Sequence, residues 1–166
     1  MSFPDLMTIL SIAHKFFSLK DRIEVKDQDD AVRYIAKNSS IFWPLSFTLS
    51  AQGEPIAHIR RRIFALRPTW IVTMGKCQYT IQCKLMSFTS RFFVTDGPYD
   101  GAWINGNLLG LKFEINHLDR IVAKANAKIL TLRDRHMYEV FDPKDEIFAT
   151  VAMLIVLKSD ERKKSE

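Results

Sequence analysis

Arg60, Arg61 and Arg62 are the densest run of charge in the chain, with Arg67 close behind and Lys37, Lys76 and Lys84 on flanking segments. On a β-strand successive side chains alternate, so His58, Arg60 and Arg62 share one face while Arg61 joins Ala57, Ile59 and Ile63 on the other. Lys84 stands 22 residues after Arg62, a spacing that recurs through the chain and gives it the same face. Arg60, Arg62, Arg67 and Lys84 then form a basic strip across adjacent strands. Arginine supplies forked donors that match phosphate oxygens, so the chemistry such a strip can do is to hold an anionic headgroup or a phosphorylated ligand. The same residues also make an ordinary solvated face. A net charge of +5 fits both readings. Single-stranded nucleic acid calls for aromatics between the bases, and the strip as read has few, so no nucleic-acid partner is expected.

Nothing else assembles into reactive chemistry. His14, His58, His117 and His136 fall on separate segments without metal-ligand spacing. Cys77 and Cys83 are not a CxxC pair, and six residues of strand hold them about 20 Å apart, beyond disulfide reach. Carboxylates gather in the turn Asp27, Asp29, Asp30, which reads as a solvated hairpin turn or a cation site, and at Asp145 and Glu146. GxGxxG, P-loop and HExxH motifs are all missing. Asn105-Gly106-Asn107 reads as a bulge. No catalytic residue, metal site or cofactor is expected, and the chain is read as a binding protein rather than an enzyme. Free cysteines fit a reducing compartment, and 1–17 lacks the positive start and cleavage site of a signal peptide. The expected location is the cytoplasm, or peripheral at the membrane.

The element that must organise these residues is 147–157, apolar except for Thr150. Asp142 is an N-cap, Pro143 suits the first helical position, and Asp145 and Glu146 favour the positive end of a helix. Lys158, Arg162, Lys163 and Lys164 favour its other end. A helix apolar on every side must be enclosed. At about 1.5 Å per residue this one covers roughly half of a ~30 Å hydrocarbon core, so protein encloses it. Val151, Ile155 and Val156 are β-branched, which leaves a final strand as the alternative.

Before it, long and short strands alternate between polar turns. The strands are expected over 6–17, 22–26, 31–42, 45–50, 55–66, 69–74, 77–86, 91–95, 102–109, 112–115, 121–132 and 135–141. Phe42, Phe64, Met86, Leu108 and Leu130 recur every 22 residues, the period of one hairpin. Six hairpins make twelve strands, which avoid free edges by closing into an up-and-down antiparallel β-barrel. The inward set is Tyr79, Ile81, Cys83 and Leu85, with Ala123, Ala125, Ala127 and Ile129. At the level of Cys83 the register places Ser39, Arg61, Asn105 and Ala127, mostly small, which leaves room for the helix. Arg61 cannot shed its charge, so it is expected at a barrel mouth, partly wet, on oxygens of a loop or a helix end.

The segments 34–42, from Tyr34-Ile35-Ala36 to Ile41-Phe42, and 57–68, with Arg60-Arg61-Arg62-Ile63-Phe64, resemble the LURP-one-related proteins over nearly the whole chain. These are similar in fold to the tubby C-terminal domain and, by inference, to phospholipid scramblases. The resemblance implies a twelve-stranded barrel wrapped around a hydrophobic C-terminal helix. Here that is one domain over 1–166, with the barrel at 6–141, the helix at 143–158 and a charged tail at 159–166. Tubby-type domains bind phosphoinositides through basic residues of the outer wall, which adds to the reading of Arg60, Arg62, Arg67 and Lys84. The expected function is a non-enzymatic binding or scaffold protein for anionic membrane lipid or a phosphorylated ligand. The alternative is a soluble protein–protein interaction module with no lipid ligand.

Overall fold

The alternation in 77–86 is a strand whose Tyr79, Ile81 and Cys83 are buried and whose Gln78, Gln82 and Lys84 are exposed. The computed structural model describes residues 7–13, 22–39, 46–86, 89–107, 112–125 and 135–165. Its strands are β1 (Thr8–Ala13), β2 (Ile23–Lys26), β3 (Val32–Asn38), β4 (Ser46–Ala51), β5 (Glu54–Arg61) and β6 (Thr69–Met74). They continue as β7 (Cys77–Met86), β8 (Thr89–Thr95), β9 (Trp103–Asn107), β10 (Lys112–His117), β11 (Arg120–Ala125) and β12 (Arg135–Val140). Each pairs antiparallel with its sequence neighbours, and β1 closes the barrel on β12 from Thr8↔Val140 to Ala13↔Arg135. Closure leaves no strand with an unpaired edge.

The barrel exists to enclose one helix. A 3-10 turn over Pro143–Asp145 leads into α1 (Glu146–Ser165). Asp142 caps the turn, its carboxylate accepting from the Lys144 amide. From Phe148 to Leu157 every residue is at most 5% exposed, on all sides of the helix. That explains why the segment carries no polar face. The helix continues beyond Lys158 to Ser165, through most of the stretch read as a tail. No helix among the described residues is long and apolar enough to cross a membrane.

Small wall residues make the space. Ala36, Ala57, Ala102, Ala123 and Ala125 are buried against the helix-filled interior. Gly106 is buried too, and a Cβ there would stand 3.4 Å from the Phe113 ring. The expected bulge at Asn105-Gly106-Asn107 is not present: Gly106 sits in an unshifted ladder opposite Ser90 and Phe113. Register shifts occur instead at Val25/Lys26, Leu49/Ser50 and Ile115/Asn116.

Two further corrections follow from register. Asn105 lies on the outward parity with Trp103, between inward Ile104 and Gly106, and Ser39 is exposed just past β3. The 22-residue register therefore slips by one in these two places, and a slip of one reverses the face. The cause in β9 is a longer connection, 96–102, which does not keep the hairpin count of the other units. Secondly, β5 stops at Arg61 rather than at residue 66, and 62–68 is a loop. The calls on Leu6, Ala127, Ile129 and the strand ends at 14–17, 40–42, 108–109 and 126–132 lie outside the described residues.

Because strands alternate in direction, the barrel has two distinct ends. The turns after β2, β4, β6, β8 and β10 lie where the helix begins, since Glu146 meets Arg33 at the start of β3 and Asp145 meets Arg120 at the start of β11. Loop 62–68 lies at the opposite end, where the helix leaves.

Candidate functional site

Arg60, Arg62, Arg67 and Lys84 all lie on the outer surface, on a different set of neighbouring segments from the one expected. Strand order is β5-β6-β7, so β5 and β7 are not adjacent as expected; β6 lies between them. Arg60 is opposite Ile71, which is opposite Thr80. The Arg62 amide donates to the Thr69 carbonyl at 2.8 Å, and Thr69 is opposite Gln82. The Cys83 amide donates to the Pro68 carbonyl at 2.8 Å, bringing the Arg67–Pro68 segment against β7 one residue from Lys84. Lys84 in turn is opposite Arg91 on β8. Arg60, Arg62, Arg67, Lys84 and Arg91 are all exposed. Together they form an arc around one corner of the barrel, at the end where the helix leaves.

Arg91 is the residue that sequence reasoning missed. The expected strand ends at 86 and 91 reflect Lys84 onto Phe93; the observed hairpin, closing at Met86↔Thr89, sets Arg91 opposite Lys84, and directly opposed residues share a face. The aromatics are also more numerous here than the strip led one to expect. Phe93 and Trp103, opposite each other on β8 and β9, are exposed on this wall, and the Lys84 ammonium lies 5.2 Å from the centre of the Phe93 ring.

Electrostatically the arc stands without ion pairs: among the described residues none of Arg60, Arg62, Arg67, Lys84 and Arg91 has one, whereas Arg22, Arg33, Arg120 and Arg135 are matched to Glu24, Glu146, Asp145 and Asp30. Arg61 ends β5 at the mouth, but the expected contact of its guanidinium with loop or helix oxygens is not found among the described residues. It is half-buried, on inward parity, the last residue of β5 and opposite the buried Trp70. Asp145 and Glu146 are not its partners, because they lie at the other end of the helix. Among the described residues Arg61 has no ion pair.

The other end is a closed acid–base plug. Asp145 and Glu146, 1% and 3% exposed, stand at the start of the helix. Arg33 and Tyr34 donate to the Glu146 carboxylate at 2.9 and 2.7 Å. Arg120 and Tyr99 donate to Asp145, Tyr99 at 2.8 Å. These bonds to carboxylates raise the pKa of both guanidinium groups. Burial first, and then the carboxylate contact, pushes the Tyr34 and Tyr99 phenols well above the usual phenol range. In the plug each buried carboxylate is held by one guanidinium and one phenol.

The remaining candidates are dispersed. His58 is exposed and bonded to Thr48, His117 packs its ring against Tyr99, and His136 is buried on β12. Cys77 is exposed and Cys83 buried, and neither is in a disulfide. In the turn at 27–30, Asp27 accepts from the Asp29 and Ala31 amides, while Asp30 pairs with Arg135 and Lys26. Those carboxylates are therefore occupied by turn amides and bases. His14 lies outside the described residues. Among the described residues no three His, Cys, Asp or Glu side chains gather as metal ligands.

The family profile for LURP-one-related proteins matches residues 8–158, from the first residue of β1 into the helix. The chain belongs to the LURP-one-related family. A solved structure of an Arabidopsis thaliana protein shares the fold, with a TM-score of 0.69 over 95% of this chain and 93% of that one, at 14% identity. A comparison with curated proteins gives no match. The barrel with its enclosed C-terminal helix is thus the LURP-one-related, tubby-like architecture, kept while most side chains change.

Proposed function

We propose that this LURP-one-related protein is a non-enzymatic binding protein whose outer basic arc recognises the anionic headgroups of membrane lipids, or an equivalent phosphorylated ligand. The observation that carries this reading is the contrast in pairing. Arg60, Arg62, Arg67 and Lys84 are exposed with no carboxylate partner among the described residues, while Arg33, Arg120 and Arg135 are each matched. Unmatched guanidinium groups keep their forked donors free for phosphate oxygens. Arg91 extends the arc beside Lys84. The filled lumen supports the non-enzymatic part, since the helix occupies the space in which a barrel would otherwise hold a substrate. On this reading the protein is cytoplasmic and attaches to membranes peripherally.

The test is flotation with phosphatidylcholine vesicles, with and without phosphatidylserine or a phosphoinositide, at two salt concentrations. Binding is expected only to the anionic vesicles and should fall as salt shortens the screening length from ~10 Å at 0.1 M. A soluble inositol phosphate that competes fully would identify the headgroup alone as the ligand. Absence of binding at low salt overturns the proposal. It would leave the protein–protein interaction module, a reading that the exposed apolar side chains of loop 62–68 favour.

A further inference from the structure

Loop 62–68 combines two properties that rarely meet on a free surface. Its base is fixed: the Arg62 amide bonds the Thr69 carbonyl at 2.8 Å, the Thr69 hydroxyl bonds the Arg67 carbonyl at 2.9 Å, and the Pro68 carbonyl is tied to β7. Its tip is bare: Ile63 is 55% exposed, Phe64 99% and Leu66 103%. A side chain at full exposure makes no packing contact that could account for it, so fold stability does not explain Phe64 or Leu66. The flanks are of one sign, with Arg60, Arg61 and Arg62 before the tip and Arg67 after it. The other strongly exposed aliphatic residue among the described ones, Leu118, is a single side chain beside Asp119 in a turn at the far end.

We infer that 63–66 is a membrane-inserting tip, which places apolar side chains below the headgroups of an anionic bilayer while the flanking arginines stay among the phosphates. This rests on the lipid reading above and adds a second component to it. Long basic side chains can keep their charge at the interface while neighbouring apolar groups enter the acyl boundary, and each base near an anionic surface adds attraction. The charge collar favours a bilayer over a protein groove as the occupant, because a lipid surface supplies anions on every side of an inserted tip. Lys84 and Arg91, with Phe93 and Trp103 on the same wall, supply further base and aromatic groups of the kind that settle at a membrane interface.

The experiment pairs depth with affinity on phosphatidylcholine–phosphatidylserine vesicles, using the full chain. Phe64→Ser with Leu66→Ser keeps every charge and, since both side chains are exposed, keeps the melting curve. It should weaken partitioning at least about tenfold. In roughly 1 M salt, where screening acts over about 3 Å, wild type should retain part of its binding and the double variant none. For depth, Phe64→Cys in a Cys77→Ser background takes an environment-sensitive fluorophore at position 64, with Cys83 protected by burial. Its emission should shift to the blue on binding and be quenched by nitroxide on shallow acyl carbons. A label that stays in water while the protein floats, or a double variant that binds like wild type, overturns insertion and leaves headgroup recognition standing. A wild type that does not float even at low salt removes both.

Discussion

The two ends of the barrel treat arginine in opposite ways. Where the helix begins, Arg33 and Arg120 are spent on buried carboxylates, and the phenols of Tyr34 and Tyr99 complete the network. Where the helix leaves, Arg60, Arg62 and Arg67 have no such partner among the described residues, and a fixed loop displays Phe64 and Leu66 to solvent. The first arrangement leaves neither buried carboxylate without a partner. The second leaves donors and apolar area uncompensated, and an exposed apolar patch rimmed by charge marks a contact surface. The difference teaches that a basic residue in this chain is informative about function only after its partner is known.

Four measurements break or sharpen that contrast. The largest effect concerns the helix that both ends share. Ala152→Asp puts a carboxylate at a fully buried position, at a cost comparable with the whole ~5–15 kcal/mol of domain stability. Cooperative unfolding in a thermal melt should vanish. A variant that still melts sharply near the wild-type temperature would show that the helix is not the core.

Next comes the plug. Arg120→Met strands the buried Asp145 carboxylate with only Tyr99 beside it. Breaking a buried pair costs roughly 3–5 kcal/mol, and because the Arg120 side chain is itself 38% exposed the lower end, about 3 kcal/mol, is expected from urea unfolding. A change under about 1 kcal/mol would remove the distinction between the two ends.

Alkaline pH tests the same plug from another side. All four tyrosines, Tyr34, Tyr79, Tyr99 and Tyr138, have phenols raised above the ordinary 10.0, with burial the first cause in each. A group whose folded pKa is raised gives stability that is complete below its unfolded pKa and is lost as pH climbs toward the folded one. Stability should therefore be flat up to about pH 10 and fall above it. Tyrosinate absorbance should appear together with loss of circular dichroism. Ionisation of all four near pH 10 in a protein that stays folded contradicts the burial described here.

The smallest effect on stability belongs to the open end. Arg60, Arg62 and Lys84 changed together to Glu should each alter stability within about ±0.5 kcal/mol, since all three are exposed. Vesicle binding should be lost at the same time. Substantial unfolding would mean that the arc is structural, like the plug.

Much of this was legible in the chain. Alternation in 77–86 fixed which side chains of β7 face the helix, and the unbroken apolar run at 147–157 required an enclosure. The 22-residue period located the hairpins but misled about their ends. Phe64 is one of its markers, and it stands at a loop tip rather than inside a long strand. Phe42, Leu108 and Leu130 share the period and lie outside the described residues. Arg91 was hidden because nothing in its own neighbours marks it; only its position opposite Lys84 does.

The sequence by itself determined the properties that depend on near neighbours: strand faces, turn chemistry, the capped start of the helix and the closed all-antiparallel barrel. These follow from periods of two and 3.6 residues and from the need to leave no edge unpaired. Tertiary structure alone decided how the buried carboxylates at the start of the helix are matched. Arg33 and Glu146 are separated by 113 positions, and Tyr99 and Asp145 by 46, so no local pattern can pair them. It also decided that Asn105 faces outward, because an odd-length connection reverses the faces of the next strand without altering its local sequence, and that Phe64 is bare, because β5 ends at Arg61 and leaves 62–68 as a loop.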